Sequence, residues 1–204
     1  MVPMALETEF EIAFVTEMIS DPADARLGHV LTLLPDAIVA SHRDFNIITT
    51  SVFAADAIEA GVRAARSIAA SGIRVQRTYQ DLVSRQDIAD RSDVTRQGVG
   101  LWVRGERFTD TPFPAPISLV SSGIWLWGDV VNWGRSLNLE WASDEPNFPS
   151  LDDHNRLDLM ISSGIEHVTV TTHLDIAGVV FEQYGRSTEF VDEDYYQMSY
   201  ALAS

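Results

Sequence analysis

The sequence predicts an α+β protein, and three observations point there. Alternating and helical patterns succeed one another as strand, helix, strand, strand, helix, strand over residues 9–79. A Trp- and Arg-bearing centre over residues 80–136 holds two short, capped helical segments and a hairpin pattern. An acidic remainder, residues 137–204, carries one helical pattern and two alternating stretches.

In the first zone, Glu9–Met18 alternates with Phe10, Ile12 and Phe14 on one face, as a half-buried strand does. Asp21-Pro22 sets a capping residue before a proline at the first helical position. Leu27, Val30, Leu31 and Leu34 then recur at helical spacing until Pro35 stops the run. Ala37–Ser41 and Phe45–Val52 read as strands joined by a turn at His42-Arg43-Asp44. Ala54–Ala70 is an Ala-rich helix with Ile58, Gly61, Ala65 and Ile68 on one side and Ser71-Gly72 as its C-cap. Ile73–Tyr79 is extended again. That order is the split βαβ, or ferredoxin-like, arrangement, expected here as a domain over residues 1–79 for oligomerisation or ligand sensing.

In the acidic zone, Ser150 is placed to cap a helix Leu151–Ser163 that ends at Gly164. Glu166–His173 and Ala177–Tyr184 alternate like paired strands across Leu174–Ile176, and Thr188–Ala203 reads as a last helix or a tail. Residues 137–204 are expected to be an interaction region.

A chain of 204 residues, 46% hydrophobic and 22% charged, suits a folded protein of one or two domains. Its net charge of −16 is unevenly spread. Residues 1–62 carry −8, residues 63–136 carry +3 and residues 137–204 carry −11, so the centre alone is basic. Every basic residue is Arg. Cysteine is absent, which excludes disulfides, thiolate metal sites and a Cys nucleophile. No stretch reaches the ~20 apolar residues of a membrane helix, and the N-terminus lacks a basic, apolar leader pattern, so a cytoplasmic protein without a membrane partner is expected.

The most specific segment is Ser84–Arg104, SRQDIADRSDVTRQGVGLWVR. Ser84 caps a first helix with Asp87 at its third position, and Ile88 and Ala89 form its inner face. Ser92-Asp93 makes a turn through the left-handed region, where Asp is one of the few tolerated residues besides Gly. Thr95 caps a second helix with Val99 and Trp102 inward, leaving Arg96, Gln97, Gly100 and Arg104 outward.

This segment resembles the winged helix-turn-helix of the MerR, excisionase and AlpA-like DNA-binding proteins of actinobacterial or phage type, over residues 82–135. The resemblance stands on Ile88-Ala89, Val94-Thr95-Arg96-Gln97, Val99, Trp102 and Arg104, followed by Phe113-Pro114-Ala115-Pro116. A hairpin pattern then runs from Ile117–Val120 through Ser121-Ser122-Gly123 to Ile124–Trp127, before Val130 and Trp133. Two departures stand out: Asp93 occupies the family's turn glycine, and Gly98 and Gly100 lie inside the second helix at ~1 kcal/mol each relative to Ala.

The resemblance implies a second helix that enters the major groove of double-stranded DNA. Arg96 and Gln97 would read base edges, with Gly100 permitting close approach. Arg91, Thr95, Arg104, Arg107, Ser122 and Arg135 would meet phosphates. It further implies a transcriptional regulator; because so few basic residues give one copy few phosphate contacts, a homodimer or higher oligomer is expected, with a small-molecule or protein effector on a flanking domain as a further expectation. The competing expectation is an acidic protein-interaction adaptor, or DNA mimic, with a repurposed helix pair. Trp102, Trp125, Trp127, Trp133 and Phe113 are expected in the core of the unit.

Other motifs are weak. His167 and His173 share a strand face without a third ligand, so no metal is expected. Asp152-Asp153-His154 fits a helix start, where acids oppose the dipole. No phosphate-cradling loop, nucleophile elbow or zinc-protease motif occurs, so neither an enzyme nor a cofactor is expected.

Overall fold

The computed structural model describes residues 7–164, together with the backbone of Val168–Leu174 and Val180–Arg186. It is a mixed α+β structure of two compact units, residues 1–163 and 164–204. Among the described residues it has a four-stranded antiparallel sheet and seven α-helices. None of these helices is long and apolar enough to cross a membrane.

In the first unit, β1 (Thr8–Thr16), β2 (Ile38–His42), β3 (Phe45–Ala54) and β4 (Val75–Thr78) pair in the order β2-β3-β1-β4. Strand β1 lies antiparallel to both β3 and β4, with Phe14 opposite Ile48 and Thr78. Strands β2 and β3 turn tightly at Arg43-Asp44, since His42 already pairs with Phe45. Helices α1 (Ala25–Leu33) and α2 (Ala57–Ala70) pack together, and α2 lies on β1, β3 and β4. Beneath them Ile12, Phe14, Ile48, Val30, Ile58, Ala65 and Ile68 are buried. Each large aliphatic among these contributes about 1.5–3 kcal/mol by leaving water.

Helix α1 starts later than Asp21-Pro22 suggests. Asp21 accepts from the Ala23 amide instead, and Asp24 is the N-cap, accepting from Arg26 N–H at 2.9 Å. The proline thus sits in the approach to the helix. Leu31 also faces solvent, while Val30 and Leu34 are buried.

The chain then builds a second core. Strand β5 (Leu82–Ser84) leads into α3 (Arg85–Arg91) and α4 (Arg96–Val103); β6 (Ile124–Leu126) runs directly into α5 (Trp127–Ser136), followed by α6 (Glu140–Ser143). Val83, Ile88, Val99, Trp102, Trp125, Trp127, Val130 and Trp133 close this core, with Phe113 against it, as expected of the tryptophans. Two indole N–H groups find backbone oxygens in the Pro-rich segment: Trp125 donates to Pro114 at 2.9 Å and Trp133 to Thr111 at 3.0 Å.

The expected hairpin after that segment is reduced. Ser118 and Ile124 make a single antiparallel bridge, and Val120–Ser122 form a 3-10 turn. The strand Ile124–Leu126 instead pairs with β5, Leu82 opposite Leu126 and Ser84 opposite Ile124. Of the outer strand expected at Ile117–Val120 only its start is kept: Ile117 N–H donates to Ile124 O and Ile124 N–H donates to Ser118 O, each at 2.8 Å, before the chain turns at Val120–Ser122.

Helix α7 (Leu151–Ser162) begins at the expected Ser150, with a reciprocal capping box to Asp153, and ends before Gly164. It packs on β4 and α2. A Cβ at Gly61 of α2 would lie 2.6 Å from the Leu157 methyls, so the glycine admits this close approach. Both expected domain boundaries, at 79/80 and 136/137, therefore fall inside the first unit.

In the second unit β7 (Val168–Leu174) pairs antiparallel with β8 (Val180–Arg186). The expected pair exists, with Leu174 still paired to Val180; the rest of the expected turn, Asp175 and Ile176, lies outside the described residues. His167 and Thr188–Ala203 lie outside the described residues.

Candidate nucleic-acid interface

The helix pair α3–α4 is fixed by local bonds that the sequence anticipates. Asp87 Oδ2 accepts from Ser84 N–H at 2.8 Å and from its hydroxyl at 2.6 Å, which holds the Asp87 carboxyl below its ordinary range. The Val94 amide donates to Ala89 at 3.0 Å, carrying the chain around the turn. Asp93 sits there at φ +52°, in the left-handed region. Thr95 Oγ1 accepts from Gly98 N–H at 3.1 Å and starts α4.

Helix α4 is then anchored by Val99 and Trp102, which are buried against Ile88, Ala89 and Val130 in the shared core. Thr95, Arg96 and Gln97 stand exposed at its N-terminal end. Neither Arg96 nor Gln97 makes a side-chain hydrogen bond or ion pair with the described residues. Their donors and acceptors face water.

The other expected contact residues are placed differently. Gly100 is buried, not outward, because Arg104 lies over it: an added Cβ would be 3.2 Å from Arg104 Nη1. Arg104 is exposed but bonded to Glu106 at 2.6 and 3.2 Å. Arg91 is tied to Asp81 at 2.5 and 3.0 Å and lies 5.0 Å over the Trp127 ring. The Asp81 carboxylate pushes the Arg91 guanidinium further up. Arg107 is exposed with its guanidinium 5.0 Å over Phe108, and Ser122 is exposed at φ +72° beside the apolar, exposed Leu119 and Val120.

Arg135 faces inward. Its guanidinium donates to Ala142 O at 3.1 Å, Pro146 O at 3.0 Å, Asn147 Oδ1 at 2.7 Å and Glu145 O. With four acceptors from its own chain it holds the 142–147 loop, and it is unavailable to a phosphate.

Comparison of the chain with family models, curated proteins and solved structures finds no match. The candidate site rests on its own geometry.

That geometry brings Thr95, Arg96 and Gln97 onto one exposed helix end and leaves Arg104 and Arg107 nearby in sequence. It buries Gly100 and engages the half-buried Arg135 with its own chain. The acids that engage Arg91 and Arg104 are the feature sequence reasoning missed. Glu106 was legible as a charge two residues from Arg104. Asp81 was not, because the approach of β5 to α3 brings it to Arg91 across ten positions.

Proposed function

We propose that the chain is a sequence-specific double-stranded DNA-binding protein, a transcriptional regulator that lays α4 in the major groove. The observation that carries this reading is the unengaged Arg96-Gln97 pair at the exposed start of a helix whose opposite face is locked by Val99 and Trp102. Arg recognises guanine and Gln recognises adenine through paired hydrogen bonds, each worth ~1–3 kcal/mol of discrimination. Thr95 and Arg107 meet phosphates, and Arg104 joins them by exchanging Glu106 for a phosphate oxygen. Arg91 and Arg135 stabilise the fold instead.

The capped pair α3–α4, the turn at Asp93 and the short Ser118–Ile124 bridge support a winged helix-turn-helix reading of the centre. The strand order β2-β3-β1-β4 with two helices on one face supports a ferredoxin-like reading of the first zone. So few free cations give one copy few phosphate contacts, and a homodimer or higher oligomer multiplies them and spaces the half-sites.

A second reading, an acidic interaction adaptor, is favoured by one observation: Asp81 and Glu106 neutralise two of the expected contact arginines. Selection of bound duplexes from a random pool, beside an Arg96→Ala/Gln97→Ala variant, separates the two. A motif enriched by the wild type and lost in the variant, with affinity falling steeply with salt, supports DNA reading. No enrichment at low salt supports the adaptor.

A further inference from the structure

The four-stranded sheet has two edges, and the chain covers one and leaves the other bare. On the β4 side, Thr78 N–H points off the sheet and donates to Asp158 Oδ1 of α7 at 2.6 Å. Further along, Asn147 takes the edge of β1: its carbonyl accepts from Glu11 N–H at 2.9 Å and its amide donates to Glu9 O at 3.1 Å. The β1–β4 register also shifts between Val15 and Thr16. Covering elements and bulges of this kind prevent edge-to-edge association.

Strand β2, at the opposite edge, has none of these devices. No Pro, Asp, Glu or Arg occurs from Ala37 to His42, in a chain of net charge −16. Its pairing with β3 runs unshifted from Ile38–Thr49 to His42–Phe45. The tight turn at Arg43-Asp44 makes His42–Phe45 a hydrogen-bonded pair, and such pairs alternate with unbonded ones along an antiparallel ladder. Ile38 and Ala40 therefore spend their amides and carbonyls on β3. Those of Val39 and Ser41 point off the sheet, and among the described residues they meet no partner.

These outward groups are self-complementary. In an antiparallel pair with a second copy, centred on Ala40, Val39 exchanges both hydrogen bonds with Ser41 of the second copy, and the reverse. Ala40 then faces Ala40 at an unbonded position, where Cα atoms approach to about 4.5 Å and a small side chain fits. Ile38, 69% exposed, comes to lie against His42 of the second copy, a ring already stacked on Phe45.

We propose that β2 pairs with β2 of a second copy in this register and joins two sheets into one. The assembly closes at a dimer, because the β4 side is blocked. An uncharged strand is where two acidic chains can meet. Just beyond the pair, Asp36 comes opposite Asp44 of the second copy, so added salt strengthens the dimer by screening, whereas it weakens binding to DNA. The inference gives the homodimer of the DNA reading its surface. Its test contains no DNA, so either can fail alone.

The test is sedimentation velocity of the full chain from about 10 µM to about 1 mM, since one strand pair lies below the ~1,200 Å² of stable complexes. A monomer–dimer equilibrium without larger species is expected. Ala40 is exposed, so Ala40→Glu keeps the far-UV circular dichroism of the wild type. By setting two carboxylates face to face it weakens the dimer about tenfold or more. The chain has no cysteine, so single cysteines report the register. Under glutathione oxidation Ala40→Cys cross-links, its Cα atoms lying within disulfide range. Ile38→Cys does not, because its thiols stand roughly 13 Å apart along the strands. Leu159→Glu, at an exposed apolar position of α7, leaves the dimer intact. A monomer at the highest concentration overturns the proposal, as does a dimer undiminished by Ala40→Glu. Cross-linking of Ile38→Cys as fast as Ala40→Cys, or loss of the dimer in Leu159→Glu, overturns it too.

Discussion

Arg135 Nη1 donates to Asn147 Oδ1 at 2.7 Å, and Asn147 is the residue through which the segment after α6 pairs with the edge of β1. One guanidinium thereby joins α5 to the first sheet. Replacing Arg135 with Ala leaves the carbonyls of Ala142, Glu145 and Pro146 short of a donor. A loss of about 2–3 kcal/mol is expected from breaking charge-assisted, half-buried bonds. Urea denaturation measures it, and an unchanged midpoint contradicts the clamp.

Arg91 and Arg96 lie five positions apart on the same helix pair and do opposite work. Arg91→Ala removes the Asp81 ion pair and the contact over Trp127, both partly solvent-screened, so stability falls by about 1 kcal/mol. Arg96→Ala changes stability by less than about 0.5 kcal/mol. Under the DNA reading it weakens specific duplex binding by about 1–3 kcal/mol. Thermal melts and duplex titrations of both variants give the two columns of this comparison.

Asp93 adopts φ +52° without being glycine. A left-handed backbone costs an L-residue roughly 1–2 kcal/mol, less for Asp, whose short side chain tolerates it. The greater freedom of an unfolded glycine offsets part of the relief. Asp93→Gly is therefore expected to stabilise the protein by about 0.5–1 kcal/mol. A lower melting temperature for that variant would show that Asp93 makes a favourable contact at the turn.

His154 titrates below its ordinary 6.5 because burial disfavours the imidazolium, with Asp158 and Asp153 opposing this more weakly. The unfolded chain binds a proton that the folded chain refuses. Its stability contribution is thus complete above pH 6.5 and declines as pH falls below it, by up to about 1.4 kcal/mol per unit for one proton. Urea midpoints at pH 7.5 and 5.5 are expected to differ less in His154→Gln than in the wild type. Parallel losses in the two proteins would assign the acid sensitivity to other groups.

Features set by neighbouring residues were legible in the sequence. Ser84 with Asp87, and Ser150 with Asp153, announce helix starts that local hydrogen bonds then build. Thr95 as a cap, and Val99 with Trp102 as an inner face, follow from spacing alone. What depends on distant partners was not legible. Ile124–Leu126 alternates like a hairpin strand and keeps a local bridge at Ser118, yet its longer pairing is with the distant Leu82–Ser84. Arg135 reads as a surface cation until the 142–147 loop folds over it. His154 reads as part of a solvated helix start, and is buried because α7 packs on β4 and α2, with Leu157 against Gly61.

The docking of α7 on β4 also has a mechanical consequence. The chain leaves the first sheet at Thr78, builds the entire helical centre, and comes back to the same residue eighty positions later, where Asp158 accepts from both the amide and the hydroxyl of Thr78. A segment with its entrance and exit riveted to one strand cannot swing as an arm on a hinge. The direction in which α4 points is inherited from the sheet, and a tug on β1 is felt at the far end of the helix pair.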